Sequence, residues 1–266
     1  MAAITEQEVQ LAIDMFNKGM SITKIAKELK RDRGTLTKRM KDAGVIIEQH
    51  CNKKQVNECF FDEWNELSAY WLGFIFADGH LSNDNKLDIC IKDKEHLEKF
   101  KANINSTHSI TTRTINNNDY YRIGIMDSHL GNKLRQLGVT SNKTYGWALP
   151  NVPTEYINHF IRGLFDGDGN FNNRKYRPVV RLVSYDVSIL ENLIEIIKCQ
   201  IPSVENHIRI YSYENRVPEL NISSKEVVKE FLDWLYKDAT IYLDRKHDKY
   251  LGFAVSGASR SDSWDY

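Results

Sequence analysis

Two stretches of the sequence share one pattern of apolar residues, glycine and aspartate. The first is WLGFIFADG at 71–79, and the second, ninety residues further on, is IRGLFDGDG at 161–169. Each stretch runs from apolar residues into an Asp-Gly pair, which predicts a helix that ends at its glycine. A pattern repeated at this distance predicts that the chain contains two similar halves.

The segments after each stretch repeat the same order of predicted elements. The first stretch is followed by strand, helix, strand, strand and helix patterns, in KLDICI, KEHLEKFKANI, SITTRTI, YYRIGIM and SHLGNKLRQLG. Behind the second come a hairpin, a helix, two strands and a helix in NFNNRKYRPVVRLVS, VSILENLIEIIKCQI, NHIRIYSY, VPELNIS and KEVVKEFLDWLYK. We therefore predict an α+β protein with tandem αββαββα repeats at 63–150 and 151–252.

Small residues are spaced four apart in both predicted helices. They are Gly73 with Ala77 in the first helix, and Gly163 with Gly167 in the second. Residues four apart share one helix face, and small residues there let two helices approach closely. If these faces pack together, Asp78 and Asp168 emerge side by side at the helix ends.

That arrangement places two carboxylates where they are unfavourable on their own. A carboxylate at a helix C-terminus faces the negative end of the helix dipole, at a cost of roughly 0.3–1 kcal/mol, and neighbouring carboxylates repel each other. A divalent cation removes both effects. Magnesium prefers one or two carboxylates together with phosphate oxygens and waters, so the pair predicts a Mg²⁺ site that acts on phosphates.

At these stretches the sequence resembles the LAGLIDADG homing endonucleases in their single-chain form with two repeats, over about residues 63 to 252. The resemblance implies a pseudo-two-fold saddle of two four-stranded antiparallel sheets that sits on DNA. It also implies that Asp78 and Asp168 are catalytic and hold two or three divalent ions, with Ala77 and Gly167 as further metal-site residues. Asp166, which stands where the first motif has Phe76, is expected to be accessory.

The family also brings one basic residue from each half into the site. The matching stretches here are GVTSNKTYGWALP, which gives Lys143, and TIYLDRKHDKYL, which gives Lys246. Such a lysine polarises the attacking water or offsets charge on the scissile phosphate. Arg245 is the nearest alternative to Lys246, and an exposed surface lysine is the alternative interpretation for both.

Residues 1–50 predict a separate all-α module that resembles a helix-turn-helix, followed by a linker at 51–62. Ser21 is placed to cap the second of three short amphipathic helices, and the third begins near Gly34 or Thr35. Nine basic residues between Lys18 and Lys41 stand against two acidic ones. The second helix of such a pair enters the major groove, which predicts DNA contacts by Arg33, Thr35, Thr37 and Lys38. A three-helix bundle with a solvated basic face is the alternative.

Basic residues are also frequent in the predicted strands. Alternation along a strand would send about half of them to a face that reads DNA, and a merely solvated sheet face is the alternative. The candidates are Arg113, Arg122, Arg174, Lys175, Arg177 and Arg181.

Composition adds three limits. Lys plus Arg equals Asp plus Glu at 36 each, so net charge does not identify a nucleic-acid partner. The four cysteines lack both the spacing of a zinc site and that of a secreted disulfide framework, and no long apolar run occurs. We therefore predict an intracellular protein, with a disordered tail at 253–266.

The paired motifs and the family they resemble imply a monomeric, site-specific endonuclease that cuts both strands of double-stranded DNA with Mg²⁺. Two alternatives remain open at this point. Some proteins with these motifs are RNA maturases, and others, joined to helix-turn-helix modules, are transcription regulators that bind DNA without cutting it.

Overall fold

A computed structural model describes residues 4–47, 54–141, 148–174 and 177–258. The chain forms two compact units that divide between Lys53 and Lys54. The predicted linker at 51–62 is therefore too long, because Phe60 and Phe61 are buried in the core of the larger unit. This aromatic pair holds the start of the larger unit against its core.

The smaller unit contains three helices, α1 Glu6–Asn17, α2 Ile22–Glu28 and α3 Arg33–Asp42. Their apolar stripes meet in a core of their own, formed by Val9, Ala12, Ile25, Leu36 and Met40 among others. Ser21 caps α2 as predicted. Helix α3 begins before the predicted residues because the Asp32 carboxylate accepts a hydrogen bond from the Thr35 N–H at 2.8 Å.

The first half of the larger unit has the predicted order αββαββα. Its elements are α4 Glu66–Asp78, β1 Gly79–Leu81, β2 Lys86–Ile91, α5 Lys94–Asn103, β3 Thr111–Ile115, β4 Asn118–Met126 and α6 Ser128–Gln136. The four strands form an antiparallel sheet in the order β1-β2-β4-β3.

The second half repeats this order and adds one helix. Its elements are α7 Ile157–Asp168, β5 Asn170–Arg174, β6 Arg177–Val183, α8 Val187–Gln200, β7 Ile208–Tyr211, β8 Glu219–Ile222, α9 Lys225–Tyr236 and α10 Asp244–Ala258, with short 3-10 helices at Thr154–Tyr156 and Pro202–Asn206. Its sheet has the matching order β5-β6-β8-β7. The predicted α+β class with two four-stranded antiparallel sheets is thus confirmed.

The predicted tail at 253–266 is wrong for its first residues. Helix α10 continues through Ala258, and Phe253 is buried against Phe171, with ring centroids 5.2 Å apart. The second half therefore extends beyond its predicted end at residue 252.

Each sheet has one buried and one exposed face. In β6, Val180 and Leu182 are buried whereas Arg181 between them is part-exposed, because successive strand residues point to opposite faces. The buried faces of both sheets and the helices share one continuous hydrophobic core. The exposed faces carry mainly polar residues, together with the exposed hydrophobic residues Ile115, Met126 and Val183.

Candidate active site at the ends of two paired helices

Helices α4 and α7 pack backbone against backbone. A methyl group added at Gly73 would lie 2.0 Å from the carbonyl oxygen of Phe160, and one at Gly163 would lie 2.0 Å from that of Tyr70. At Gly167 an added methyl would lie 2.3 Å from Cβ of Ala77. The four small residues expected at a helix pair thus all lie in this contact.

The two helices end in the same way. Asp78 and Asp168 are each the last helical residue and each exposed, although the turn before them is buried. Gly79 and Gly169 follow in nearly the same extended conformation, with φ −80°, ψ 153° and φ −78°, ψ 157°. Each half therefore presents one carboxylate from an equivalent position, directly before its first strand.

Gly167 leaves room for the carboxylate of Asp78. A methyl group on Gly167 would lie 3.3 Å from Oδ2 of Asp78, so the side chain of one motif lies against the backbone of the other. The close approach of α4 and α7 thus brings the end of the first motif to the end of the second.

Lys246 lies beneath the end of α7. Its Nζ donates to the carbonyl oxygens of Gly169 at 2.6 Å, Gly167 at 3.4 Å and Phe165. Carbonyl groups in the last helical turn lack partners within the helix, and a cation there also opposes the helix dipole. Burial lowers the pKa of Lys246 to about 8, against the opposing charges of Asp166, Asp78 and Asp168.

Asp166, expected to be accessory, is an internal anchor. Its carboxylate is buried and accepts hydrogen bonds from the Leu243 N–H and the Tyr70 hydroxyl, both at 2.8 Å, and from the Tyr236 hydroxyl at 3.4 Å. Burial raises its pKa to about 6. The bond to Leu243 fixes the chain directly before α10, which carries Lys246.

A second buried network was not predicted from the sequence. Arg162 in the second motif is fully buried, and its Nη2 lies 2.8 Å from Oε1 of Glu66 in α4. The guanidinium also donates to the carbonyl oxygens of Ile241 at 2.9 Å and Leu235 at 3.0 Å. A charged residue inside an apolar motif was the signal for this network, because a buried arginine requires partners.

The exposed side of the site is a cleft. Its lining includes Asp78, Cys90, Lys92, Tyr120 and Arg245. Arg245, the alternative to Lys246, is exposed here and its Nε lies 3.1 Å from a carboxylate oxygen of Asp93. The two neighbouring basic residues thus take different places, one beneath α7 and one in the cleft.

The predicted strand arginines lie on the exposed sheet faces where their side chains are described. Arg113 pairs with Tyr120, and Arg122 donates to Asp88 at 2.9 Å. In the second sheet Arg177 and Arg181 lie on the exposed face of β6, four residues apart, with Val179 between them on the same face. For Arg174 only the backbone is described. Lys143 and Lys175 lie outside the described residues.

Strand register adds residues that the sequence did not single out. One row across the second sheet is Asn170, Arg181, Asn221 and Arg209. Since paired residues point to the same face, these side chains share the exposed face with Arg177. Alternation along NHIRIYSY and VPELNIS was the sequence signal that could have identified Arg209 and Asn221.

In the smaller unit the predicted contacts all lie on α3. Arg33, Thr35 and Lys38 are exposed, and Thr37 is half-buried. The hydroxyls of both threonines are engaged within the helix, with Thr35 bonded to Asp32 and Thr37 to the carbonyl oxygen of Arg33. The two basic residues are therefore the accessible part of this set.

Known proteins are similar to this chain in part of its sequence and in its fold. Residues 155–235 match the family model of the LAGLIDADG-like domain. The meganuclease I-SmaMI bound to uncleavable DNA aligns with a TM-score of 0.52 at 11% identity, covering 75% of this chain and 93% of that chain. The I-LtrWI LAGLIDADG homing endonuclease bound to target DNA aligns with a TM-score of 0.50 at 13% identity, covering 72% and 91%.

The N-terminal LAGLIDADG domain of DUF199/WhiA aligns with a TM-score of 0.44 at 16% identity, covering 73% of this chain and 92% of that chain. No curated protein matches the sequence. The fold of this chain is thus that of solved LAGLIDADG proteins, and within it residues 155–235 match the LAGLIDADG-like domain. Within the described part of the chain, no helix has the length and apolar character to cross a membrane.

Proposed function

We propose that this protein is a site-specific DNA endonuclease that hydrolyses one phosphodiester in each strand of a long target. The observation that supports this most is the pairing of α4 with α7, which presents Asp78 and Asp168 from equivalent positions in the two halves. One carboxylate from each half suits two cuts by one chain. The protein would then act as a monomer.

The donor atoms at the helix ends fit a hard divalent cation. Asp78 and Asp168 offer carboxylate oxygens, and the missing side chain of Gly167 leaves space beside Asp78. Magnesium takes oxygen ligands from one or two carboxylates and completes its shell with water and substrate phosphate. We propose that Asp78 and Asp168 hold two or three such ions, with the backbone of Ala77 and Gly167 beside them. When bound, these ions would activate water and stabilise charge on the phosphate.

Lys246 would assist through its position. Its ammonium group lies against the last carbonyls of α7, where it offsets the negative end of the helix dipole. It therefore reduces the repulsion that Asp168 meets at that end and keeps the end of α7 in place. Because the Gly167 carbonyl oxygen lies 3.4 Å from this ammonium group, we assign the metal contacts mainly to the two carboxylates.

DNA would lie along the exposed sheet faces. Arg177, Arg181 and Arg209 are on one such face with amide side chains between them, and Arg113 and Arg122 are on the other. Arginine and asparagine read purine edges, and arginine also neutralises phosphates. The basic helix α3 of the smaller unit would contact flanking DNA as a helix-turn-helix, and such a linked second contact raises affinity.

The test is cleavage of a library of long DNA targets in Mg²⁺, with sequencing of the ends produced. Wild type is compared with Asp78→Asn, Asp168→Asn and the control Glu191→Gln, an exposed acid on α8. We expect wild type and the control to cut both strands, and each aspartate variant to lose double-strand cleavage while still binding.

Two results would reject the proposal. If wild type binds one DNA sequence tightly and never cuts it, a binding protein replaces the nuclease. If the aspartate variants cut as well as wild type, the paired motif serves packing alone. A filter-binding comparison of DNA with structured RNA then tests for a role on RNA.

A further inference from the structure

Three potential metal ligands lie together in the first half, outside the residues assigned to the candidate active site. The Sγ of Cys59, a carboxylate oxygen of Asp62 and a ring nitrogen of His129 all lie within 4.8 Å of one another. The Nε2 of His129 is 2.8 Å from Oδ2 of Asp62. All three side chains are exposed, so an ion from solvent can reach them.

Both sides of this cluster are held by the surrounding fold. Phe60 and Phe61, between the first two ligands, are buried, and the Asp62 N–H donates to the carbonyl oxygen of Cys59 at 3.0 Å. Cys59 and Asp62 are therefore fixed on the exposed side of one turn. His129 is the second residue of α6, whose first turn is capped by the Asp127 carboxylate. Ligands on fixed backbone lose little freedom when an ion binds.

The donor set suits zinc better than magnesium. One thiolate, one imidazole and one carboxylate, with water in the fourth position, form an open tetrahedral zinc site, whereas magnesium takes oxygen ligands. Ligand atoms around such an ion lie roughly 3.3–3.8 Å apart, given bonds of about 2.0–2.3 Å. Side-chain adjustments of about 1 Å would convert the observed cluster to that geometry.

Local charge also favours a cation. A hydrogen bond to Asp62, together with the charges of Glu58 and Asp127, raises the pKa of the Cys59 thiol. The same carboxylates attract a divalent ion, which in turn favours the thiolate. Lys133 near Asp62 opposes them with one positive charge.

We propose that Cys59, Asp62 and His129 form a zinc-binding site. Bound zinc would join the turn at the start of the larger unit to α6, and so close a loop of about seventy residues. The sequence alone did not indicate this site, because a single cysteine contributes and the third ligand is distant along the chain.

Cobalt is the probe for this site, because a cobalt thiolate absorbs light and zinc displaces it. The full-length reduced chain is freed of metal with a chelator and titrated with Co²⁺. We expect a thiolate-to-cobalt charge-transfer band with the d–d bands of a four-coordinate ion, all bleached by equimolar Zn²⁺. Cys59→Ser, Asp62→Asn and His129→Gln should each weaken cobalt binding by at least about tenfold.

Matched controls separate this site from other metal binding. A variant with serine at Cys51, Cys90 and Cys199 should keep the bands, and Asp78→Asn with Asp168→Asn should also keep them. The outcome is thus independent of the proposed nuclease activity. Thermal melts of the metal-free proteins should coincide, and Zn²⁺ should raise the Tm of wild type but not of Cys59→Ser.

The proposal is overturned if no charge-transfer band forms, or if the bands persist in Cys59→Ser or His129→Gln. It is also overturned if the bands disappear in the variant that keeps Cys59 as its one cysteine. Any of these results leaves the three side chains as a surface ion pair beside a thiol.

Discussion

Replacement of Gly163 by alanine tests the helix contact on which the candidate site depends. The new methyl group would lie 2.0 Å from the carbonyl oxygen of Tyr70 and 2.7 Å from the backbone nitrogen of Phe74. Ordinary contacts between such atoms exceed about 3.2 Å, so α4 and α7 must separate by about 1 Å. Backbone atoms of a buried helix cannot rotate away, as the end of a flexible side chain could.

The cost follows from that displacement. A gap of 0.5–1 Å loses roughly a quarter to a half of each dispersion contact along the interface, and overpacking in cores typically costs about 1–3 kcal/mol. We expect Gly163→Ala to lower the free energy of unfolding by an amount at the upper end of this range, about 3 kcal/mol. For a unit of this size, that loss lowers the Tm by roughly 6–12 °C. Double-strand cleavage should fall by about a hundredfold, because a 1 Å misplacement of reacting groups has that effect.

Differential scanning calorimetry measures the loss in the transition of the larger unit. The matched control is Gly252→Ala in α10, where an added methyl meets nothing within 4 Å. That change should leave stability unaltered or raise it by about 0.5–1 kcal/mol. If Gly163→Ala has the same Tm as wild type, the two helices are not in backbone contact and the reasoning fails.

Three further predictions concern the same unit. The pKa of Lys246 in the fold, about 8, is below its unfolded value of 10.5, so charging it opposes folding. The free energy of unfolding should therefore gain about 3 kcal/mol as pH rises from 8 to 10.5, and chemical denaturation of Lys246→Met should lack that gain. Asp166→Leu leaves its hydrogen-bond donors unpaired, so urea denaturation should show a loss of roughly 3 kcal/mol or more. Arg181→Ala should weaken DNA binding by about 10- to 100-fold and reduce the salt slope by about one, whereas Lys225→Ala, on α9, should not, as measured by fluorescence anisotropy.

The order of elements could be predicted from the sequence because it depends on local patterns. Alternation in KLDICI and periodicity in VSILENLIEIIKCQI identify a strand and a helix without reference to the rest of the chain. The helix pair was also predictable, since small residues at Gly73 and Gly163 have few uses in an otherwise bulky apolar helix. The positions of Asp78 and Asp168 follow from those helices.

The remaining features depend on contacts between distant residues. Asp166 meets the N–H of Leu243 across 77 residues of sequence, and no local pattern identifies that partner. The tail prediction failed because α10 has small and polar residues near its end, whereas the burial of Phe253 against Phe171 stabilises it. The linker prediction failed because the buried pair Phe60 and Phe61 lies among polar residues.

The ion pair between Glu66 and Arg162 makes the two halves unequal. At the position equivalent to Arg162 the first half has Leu72, and at the position equivalent to Glu66 the second half has Tyr156. A dimer of two first halves would thus contain the Glu66 carboxylate without the Arg162 guanidinium that pairs with it. Two copies of the second would bury a guanidinium without its anion, which is strongly unfavourable. A dimer made of either half alone would therefore be less stable at this contact than the two unlike halves of the single chain.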